Sequence, residues 1–344
     1  TRQALEDIGF KMTGERMIRG AVVDPQPREI AERALFHKHH LHQSTRHENE
    51  ILALKKVDEI RDDFALRGRS ELYRVDLKSM ASAHRLHQGI NLRGHQVWAS
   101  YEHFQEILAI RNQPADEELW DIVEFFASHS DPNLFKERHA LSQSEFRKLV
   151  QPLIRTGHIV QDFRGGFRSV FVPEGVDRAE LRKEYIRKLV EKFPVITLRQ
   201  MTQLAGPSFK PEELKAVLNT FEEDGTLIKG FLIEDFHQVC WGRKELLEEA
   251  RSIPAIRDFV LPPSDPIAPY FADIMKERFG FGSAYLVFRN AEPVAAFKAN
   301  TRNKIIDVKD YEGSEKAWRI VKEFAWEHQM PLQTELRIGG KKLQ

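Results

Sequence analysis

The chain has 344 residues and a mass of 40.0 kDa, enough for two or three domains of about 100 to 150 residues each. With 41% hydrophobic and 30% charged residues it should fold, and its single cysteine, Cys240, excludes an internal disulfide and any multi-cysteine metal site. Basic and acidic residues balance at 52 each, so net charge does not indicate a nucleic-acid partner. Because no long apolar run is present, we expect no membrane span and a cytoplasmic location.

Residues 1–113 carry the weakest patterns and are predicted to form a mostly helical N-terminal domain, with a further winged helix as an alternative. Apolar spacing predicts helices near 28–42, 48–66 and 97–110, and a strand at 72–77. A histidine-rich segment suggests a metal site, because His37 and His40 would share a helical face, although the nearest carboxylates, Glu48 and Glu50, lie just beyond the expected helix. We expect surface or phosphate-contacting histidines instead, and no metal or cofactor. The segment contains His37, His39, His40, His42 and His47.

An amphipathic pattern then occurs twice, at an interval of 67 residues. The helical spacing i, i+3, i+4, i+7 is present in Leu119, Ile122, Val123 and Phe126, and again in Ile186, Leu189, Val190 and Phe193. A second helix also repeats, with apolar positions Phe146, Leu149, Val150 and Leu153, and then Leu214, Val217, Leu218 and Phe221. Gly157 and Gly225 follow these second helices and are predicted to end them.

A β-rich stretch follows each stop glycine. The first runs over 158–172 around the turn Arg164-Gly165-Gly166, and the second over 227–241 with a turn near Asp235. A further short helix lies between the two main helices, and in the second copy Thr197 and Gln200 form a capping-box pattern. Three helices and a hairpin in this length are typical of a winged helix. We therefore predict two of them, at 114–176 and 177–250.

The last segment, 251–344, begins with a proline-rich connector and is predicted to form a small β domain. Short strands are expected at 285–288, 294–298 and 304–308, followed by a helix that Ser314 caps. The overall prediction is an α+β chain: tandem winged helices followed by a small antiparallel β-sheet with a covering helix.

The second helices of the two repeats differ in charge. Glu212, Glu213, Glu222, Glu223 and Asp224 surround the single Lys215 in the second copy, so a phosphate backbone would be repelled there. In the first copy basic residues dominate the helix and bracket the hairpin turn. We predict that the first copy binds nucleic acid, duplex or single-stranded, and that the second is a packing or partner module. The predicted contacts are Arg147, Lys148, Arg155, Arg164 and Arg168.

Motifs for several enzyme classes are missing from the sequence. It contains no Gly-x-x-x-x-Gly-Lys-Ser/Thr, so ATP hydrolysis by a P-loop is not expected. It also contains no nucleophile elbow and no His-Glu-x-x-His, which leaves the hydrolases with strong local signatures unsupported.

The segment from Phe221 to Glu234 and the connector Leu261-Pro262-Pro263-Ser264-Asp265-Pro266 resemble the C-terminal region of large helicase-related (Lhr) proteins. The order of elements, including 276–281 after the Asp-Pro, is also similar to winged-helix DNA glycosylases of the AlkZ/YcaQ type. The resemblance covers roughly 115–330. It implies a DNA-binding region that acts in DNA repair, with a helicase motor in the same or another chain. Because the chain begins with Thr1, we expect a piece of a longer protein.

The resemblance leaves alternatives open. A base-excision glycosylase on the same scaffold would need a carboxylate near the sugar, and Asp265 is the acid of the family-like segment. An aspartate before a proline also shapes turns, which is the competing role for Asp265. The Gln-x-Gln or Gln-x-Asp motif of the glycosylases does not occur in this sequence. A protein-interaction or oligomerisation module is the third alternative.

Overall fold

A computed structural model describes residues 10–13, 16–19, 25–41, 59–68, 77–301, 304–338 and 341–342. The described chain is a mixed α+β protein whose sheets are mainly antiparallel. The helices are Arg28–Lys38 (α1), Asp63–Arg67 (α2), Leu77–Ala83 (α3), Tyr101–Arg111 (α4), Trp120–Ser128 (α5), Pro132–Arg138 (α6), Gln143–Thr156 (α7), Arg178–Glu191 (α8), Leu198–Ala205 (α9), Pro211–Glu223 (α10), Lys244–Ala250 (α11), Ala272–Phe279 (α12) and Glu315–Glu327 (α13). The strands are Phe10–Thr13 (β1), Arg16–Arg19 (β2), His87–Ile90 (β3), Gln96–Ala99 (β4), Ile159–Asp162 (β5), Phe167–Ser169 (β6), Val195–Thr197 (β7), Ile228–Gly230 (β8), Cys240–Gly242 (β9), Phe259–Leu261 (β10), Tyr285–Arg289 (β11), Glu292–Asn300 (β12), Ile306–Gly313 (β13), Leu332–Thr334 (β14), Arg337–Ile338 (β15) and Lys341–Lys342 (β16).

The N-terminal predictions need correction. The helix expected at 97–110 begins only at Tyr101, because Ser100 caps it and Val97 lies in β4. The helix expected at 28–42 ends at Lys38. Of the helix expected at 48–66, residues 48–58 lie outside the described residues, and Ile60 forms a β-bridge with Trp98 instead. The strand expected at 72–77 falls outside them except for Leu77, which begins α3.

The first repeat has the predicted order of elements. Ile122, Val123 and Phe126 are the buried face of α5, and Phe135 of α6 completes the same small core with the apolar face of α7. Gly157 ends α7 with φ of +92°, a backbone conformation that suits glycine. Strands β5 and β6 form the predicted hairpin. However, β3 pairs with β5, so the sheet order is β4-β3-β5-β6 and one sheet crosses the boundary expected after residue 113.

The second repeat also has its predicted helices. Thr197 and Gln200 form a complete capping box at the start of α9, as the sequence predicts. Strands β8 and β9 pair as a hairpin, and β7 adds to the β9 edge. The Arg182 side chain fixes this repeat to the rest of the chain, because it binds the Glu213 carboxylate and also donates to the Ile110 and Ser208 carbonyl oxygens. Ile186 of α8 and Leu214 of α10 are buried in the same hydrophobic cluster as Phe104 of α4, so the second repeat is part of the main core of the molecule.

The C-terminal region is a five-stranded sheet in the order β10-β11-β12-β13-β14, with α13 packed against one face. The predicted strands, the Ser314 cap and the buried face of α13 are confirmed. One detail differs from the prediction: β14 pairs with β13 in parallel, because α13 returns the chain to the same edge in a crossover connection. No helix in the described ranges has both the length and the hydropathy to cross a membrane.

Candidate nucleic-acid interface

Helix α7 presents two chemically different faces. Ser142 caps its first turn in a capping box with Glu145, which fixes where the helix begins. Phe146, Val150 and Leu153 then recur at helical spacing and are buried against the small core. Because the remaining face points away from that core, the predicted contacts Arg147, Lys148 and Arg155 are exposed.

Glu145, the acidic residue of α7, is hydrogen-bonded in the N-terminal capping box. The Glu145 carboxylate accepts hydrogen bonds from the Ser142 amide at 2.9 Å and from the Ser142 hydroxyl at 2.6 Å. These hydrogen bonds lower the pKa of Glu145, so it stays ionised near the helix N-terminus, where negative charge is favourable. The rest of the exposed face of α7 is therefore basic.

The hairpin β5–β6 continues this basic surface. Its turn is built on Asp162, whose Oδ1 accepts from the backbone N–H groups of Arg164 and Gly166, each at 2.8 Å. The Arg164 guanidinium lies 5.2 Å from the Phe163 ring centroid, and the Arg168 guanidinium lies 3.7 Å from the Tyr101 ring centroid. Stacking on these rings positions both exposed guanidinium groups without neutralising them.

The structure thus carries the five predicted phosphate contacts on one helix and the hairpin that packs against it. Across the described part of the chain, none of the five forms an ion pair with an acidic side chain. Their charges remain available to a ligand. The sequence predicted these residues correctly as exposed cations, and their binding role stays a prediction.

The second repeat presents a different surface. On α10, Lys215 is exposed among acids, of which Glu213 is bound by Arg182 at 2.7 Å and Glu222 by Lys229 at 3.2 Å. The backbone of Gln26 pairs with the segment after β8. Its N–H donates to the Leu232 carbonyl oxygen and its carbonyl oxygen accepts from the Glu234 N–H, both at 2.9 Å. The hairpin of this repeat is therefore occupied by contacts within the chain.

A cleft of about 420 Å³ lies beside the basic hairpin. Its volume falls within the range of small-molecule sites. Trp98, Gln88 and Gln161 are cross-strand neighbours on β4, β3 and β5 and form one side of the cleft. Phe163 and Gly165 of the hairpin turn form part of the rim. Sequence reasoning missed this cleft because its residues come from segments far apart in the chain.

The carboxylates that line the cleft hold the backbone around it. Asp62 Oδ1 accepts from the amides of Phe64 and Ala65, at 3.1 and 3.2 Å. Burial raises the pKa of Asp62, and these hydrogen bonds partly oppose that effect. Asp63 accepts from the Leu77 amide at 2.9 Å, and the third carboxylate is that of Asp162 in the hairpin turn.

Asp265, the predicted catalytic candidate, is 2% exposed. Its Oδ1 accepts from the Ile267 amide at 3.1 Å, and its carbonyl oxygen accepts from the Ala268 amide at 3.0 Å. This geometry is the one expected of a residue that shapes the turn around Pro266. The cleft beside the hairpin does not include Asp265 among its lining residues. Its catalytic role stays a prediction.

The histidine-rich segment is placed only in part, because His42, His47 and the carboxylates Glu48 and Glu50 lie outside the described residues. The expected pairing of His37 with His40 on one helical face is wrong, since α1 ends at Lys38 and His40 has φ of +57°. The buried ring of His39 has its Nε2 2.9 Å from the Lys192 carbonyl oxygen. In the described ranges no group of three or more potential ligands could hold a metal ion.

Two buried carboxylates carry strongly shifted pKa values that sequence reasoning did not find. Burial alone would raise the pKa of Glu59, but the adjacent His103 and Arg93 and the Asn91 amide lower it to about 2. His103 Nε2 lies 3.1 Å from the carboxylate and Asn91 Nδ2 lies 2.6 Å from it. Burial raises the pKa of Glu32 to about 8, and the ion pair with the half-exposed Arg28 at 3.4 Å opposes this effect only in part. Glu59 thus holds the segment before α2 as an ionised carboxylate, whereas Glu32 is a buried carboxyl with a raised pKa.

These features define an α+β protein with a basic helix and hairpin and an adjacent cleft. No family model and no curated protein matches the sequence. The fold is similar to that of the Streptomyces sahachiroi DNA glycosylase AlkZ, with a TM-score of 0.64 over 90% of this chain and 100% of that chain. The two sequences are 10% identical, so the comparison establishes the shared fold.

Proposed function

We propose that this protein binds DNA in a repair process, through the basic surface formed by α7 and the hairpin β5–β6. The observation that carries the proposal is the set of five exposed cations on that surface, none of them paired with a described acid. Such groups exchange the counterions of DNA for direct phosphate contacts, which makes binding favourable. The shared fold with a DNA glycosylase supports the same assignment.

We propose further that the two repeats are winged helices, at 114–176 and 177–250. Each contains three helices followed by a hairpin, the order typical of this motif. In this arrangement α7 is the helix that enters the major groove, and the hairpin is the wing that contacts the backbone. The second repeat acts as a packing module, which the covered hairpin and the acidic α10 support. The relation to the Lhr C-terminal region, and a helicase motor as a partner, belong to this proposal.

The ionic strength dependence of binding tests the DNA assignment. If four to six basic groups of the protein meet phosphates, the logarithm of the affinity for a duplex should fall against the logarithm of the salt concentration with a slope of about −3.6 to −5.4. Fluorescence anisotropy titrations between 50 and 300 mM salt would measure this slope. Binding without salt dependence would contradict the phosphate contacts and support the alternative of a protein-interaction module.

A base-excision glycosylase is the second candidate function, favoured by the shared fold with AlkZ. Its chemistry requires a carboxylate that stabilises positive charge on the sugar as the base leaves. Asp265 is the proposed residue. The competing role for this carboxylate is to hold the turn through the Ile267 amide.

Asp265→Asn separates the two roles. If Asp265 is catalytic, the loss of negative charge should abolish base release while DNA affinity is retained. If it only shapes the turn, the asparagine oxygen accepts the same hydrogen bond, and melting temperature, affinity and any base release should stay close to those of the parent protein. Incubation with damaged duplexes followed by strand scission at abasic sites measures release. Release that survives the substitution contradicts catalysis by Asp265, and no release by the parent on any duplex contradicts the glycosylase function.

A further inference from the structure

The cleft beside the hairpin has a lining that the phosphate contacts do not use. Trp98 and Phe163, both half-buried, supply aromatic surface, and Gln88 and Gln161 supply two amides from adjacent strands. Because Gln88 stands opposite both Trp98 and Gln161 in the register of the sheet, the three side chains lie in one row. The cleft therefore combines a surface for a flat ring with hydrogen-bonding groups beside it.

The amides have unused hydrogen-bonding capacity. The Gln88 side chain forms no hydrogen bond with any other described residue. Gln161 uses its Nε2 to donate to the Gly165 carbonyl at 3.2 Å, and its Oε1 accepts from no described group. A half-buried amide without a partner is unfavourable unless water or a ligand supplies one. The row thus offers N–H donors of both amides and two carbonyl oxygen acceptors to a molecule in the cleft.

The charges of the cleft determine which part of a nucleic acid it can accept. Among the described residues that line it, Asp62, Asp63 and Asp162 stand against the single cation Lys78, so this part of the lining disfavours a phosphate group. The basic surface for the phosphates lies on α7 and on the hairpin, whose turn is also the rim of the cleft. A strand held on that hairpin would therefore place its backbone outside the cleft and a base at its entrance.

We propose that the cleft captures a nucleobase that has no pairing partner in the bound duplex. The base stacks on Trp98 and Phe163, and its edge bonds to Gln88 and Gln161. Stacking tolerates every base, and glutamine amides can both donate and accept, so capture depends on the missing pairing partner and not on the base sequence. This inference rests on the proposed DNA binding, and it concerns recognition without any bond cleavage.

The test compares three labelled duplexes of the same sequence by fluorescence anisotropy. One is fully paired, one has a single unpaired nucleotide, and one has an abasic residue at that unpaired position. We expect the duplex with the unpaired base to bind about 5- to 20-fold more tightly than the paired duplex. The abasic duplex keeps the extra backbone unit but lacks the base, so it should lose this gain.

Two substitutions in the cleft test whether the tighter binding of the unpaired base depends on it. Gln88→Leu and Phe163→Ala should each lower the ratio of the two affinities, unpaired over paired, to about 2 or less. The matched controls are Gln96→Leu, an exposed amide on β4, and Phe171→Ala, an exposed ring after the hairpin, neither of which lines the cleft. Both controls should keep the ratio. Phe163 lies in a surface turn, so its variant carries the test even if Gln88→Leu does not fold.

The outcomes separate the two proposals. Equal affinity for the abasic and the base-containing bulge overturns base capture, and so does a gain that survives both cleft variants. A gain that disappears in both cleft variants but persists in both controls supports base capture. Failure to bind any of the three duplexes contradicts DNA binding itself, and base capture with it. The combined Arg147→Glu and Lys148→Glu protein should weaken binding to all three while the ratio stays the same.

Discussion

Reversing the charges of Arg147 and Lys148 together is expected to lower the affinity for duplex DNA by roughly 100-fold at 0.15 M salt. Each phosphate contact contributes about fivefold under these conditions, because affinity scales with salt to the power of about −0.9 per contact. Losing two contacts accounts for about 30-fold, and repulsion between the new carboxylates and the phosphates adds to it. Both side chains are exposed on α7, so the fold should tolerate the change. Anisotropy titration of a paired duplex measures the loss.

Lys215→Glu is the matched control for this prediction. Lys215 is also an exposed lysine, on the corresponding helix α10 of the second repeat, but acids surround it. We expect its substitution to change the affinity by less than about twofold, because no phosphate contact is assigned there. Similar losses in the two proteins would contradict the division of roles between the repeats. The salt slope of the double variant should also fall by about 2 relative to the parent protein.

Glu32 should make the protein less stable as the pH rises from about 4.5 to about 8. Burial raises the pKa of this carboxyl from 4.5 to about 8; Arg28 and Arg278 oppose this shift and Glu292 adds to it, each by a smaller amount. The folded state therefore keeps a proton that the unfolded state releases above pH 4.5, and folding stability falls with pH in this window. The slope is at most about 1.4 kcal/mol per pH unit, which gives an upper limit of about 5 kcal/mol across the window.

Glu32→Gln removes this titration while nearly preserving the shape of the side chain. The variant and the parent protein should have similar free energies of unfolding at pH 5, and the variant should be the more stable at pH 9. Urea unfolding at pH 5, 7 and 9 measures the difference in the free energy of unfolding between the two proteins. The other titrating groups are common to both, so their contributions cancel in this difference. Glu29→Gln on the same helix is the control, because Glu29 is 53% exposed and its ion pair within the described residues is with Arg33 at 3.7 Å. Parallel stability curves for parent and Glu32→Gln would show that Glu32 is ionised in the folded protein.

The sequence alone predicted the elements whose signals are local. The repeated helices, the Thr197 and Ser314 caps and the glycine that ends α7 all agree with the structure. A helix buries the face that its own spacing creates, and a cap bonds to a backbone group within three residues, so neither depends on the rest of the chain. The exposed cations of α7 were predictable for the same reason, because the apolar face determines which side points outward.

Tertiary structure decided what the strands and the buried charges do. Val97 fits a helical pattern with Tyr101, yet it lies in β4. The backbone of this strand pairs with β3 on one side, and Trp98 forms a β-bridge with Ile60 on the other. Strands β3 and β5 pair although they are about 70 residues apart in the chain. The row of side chains in the cleft depends on this pairing. Glu32 and Glu59 are both acids of undistinguished sequence context. Their pKa values diverge to about 8 and about 2 because Glu59 contacts His103, Asn91 and Arg93 together, whereas the burial of Glu32 outweighs its ion pair with the half-exposed Arg28.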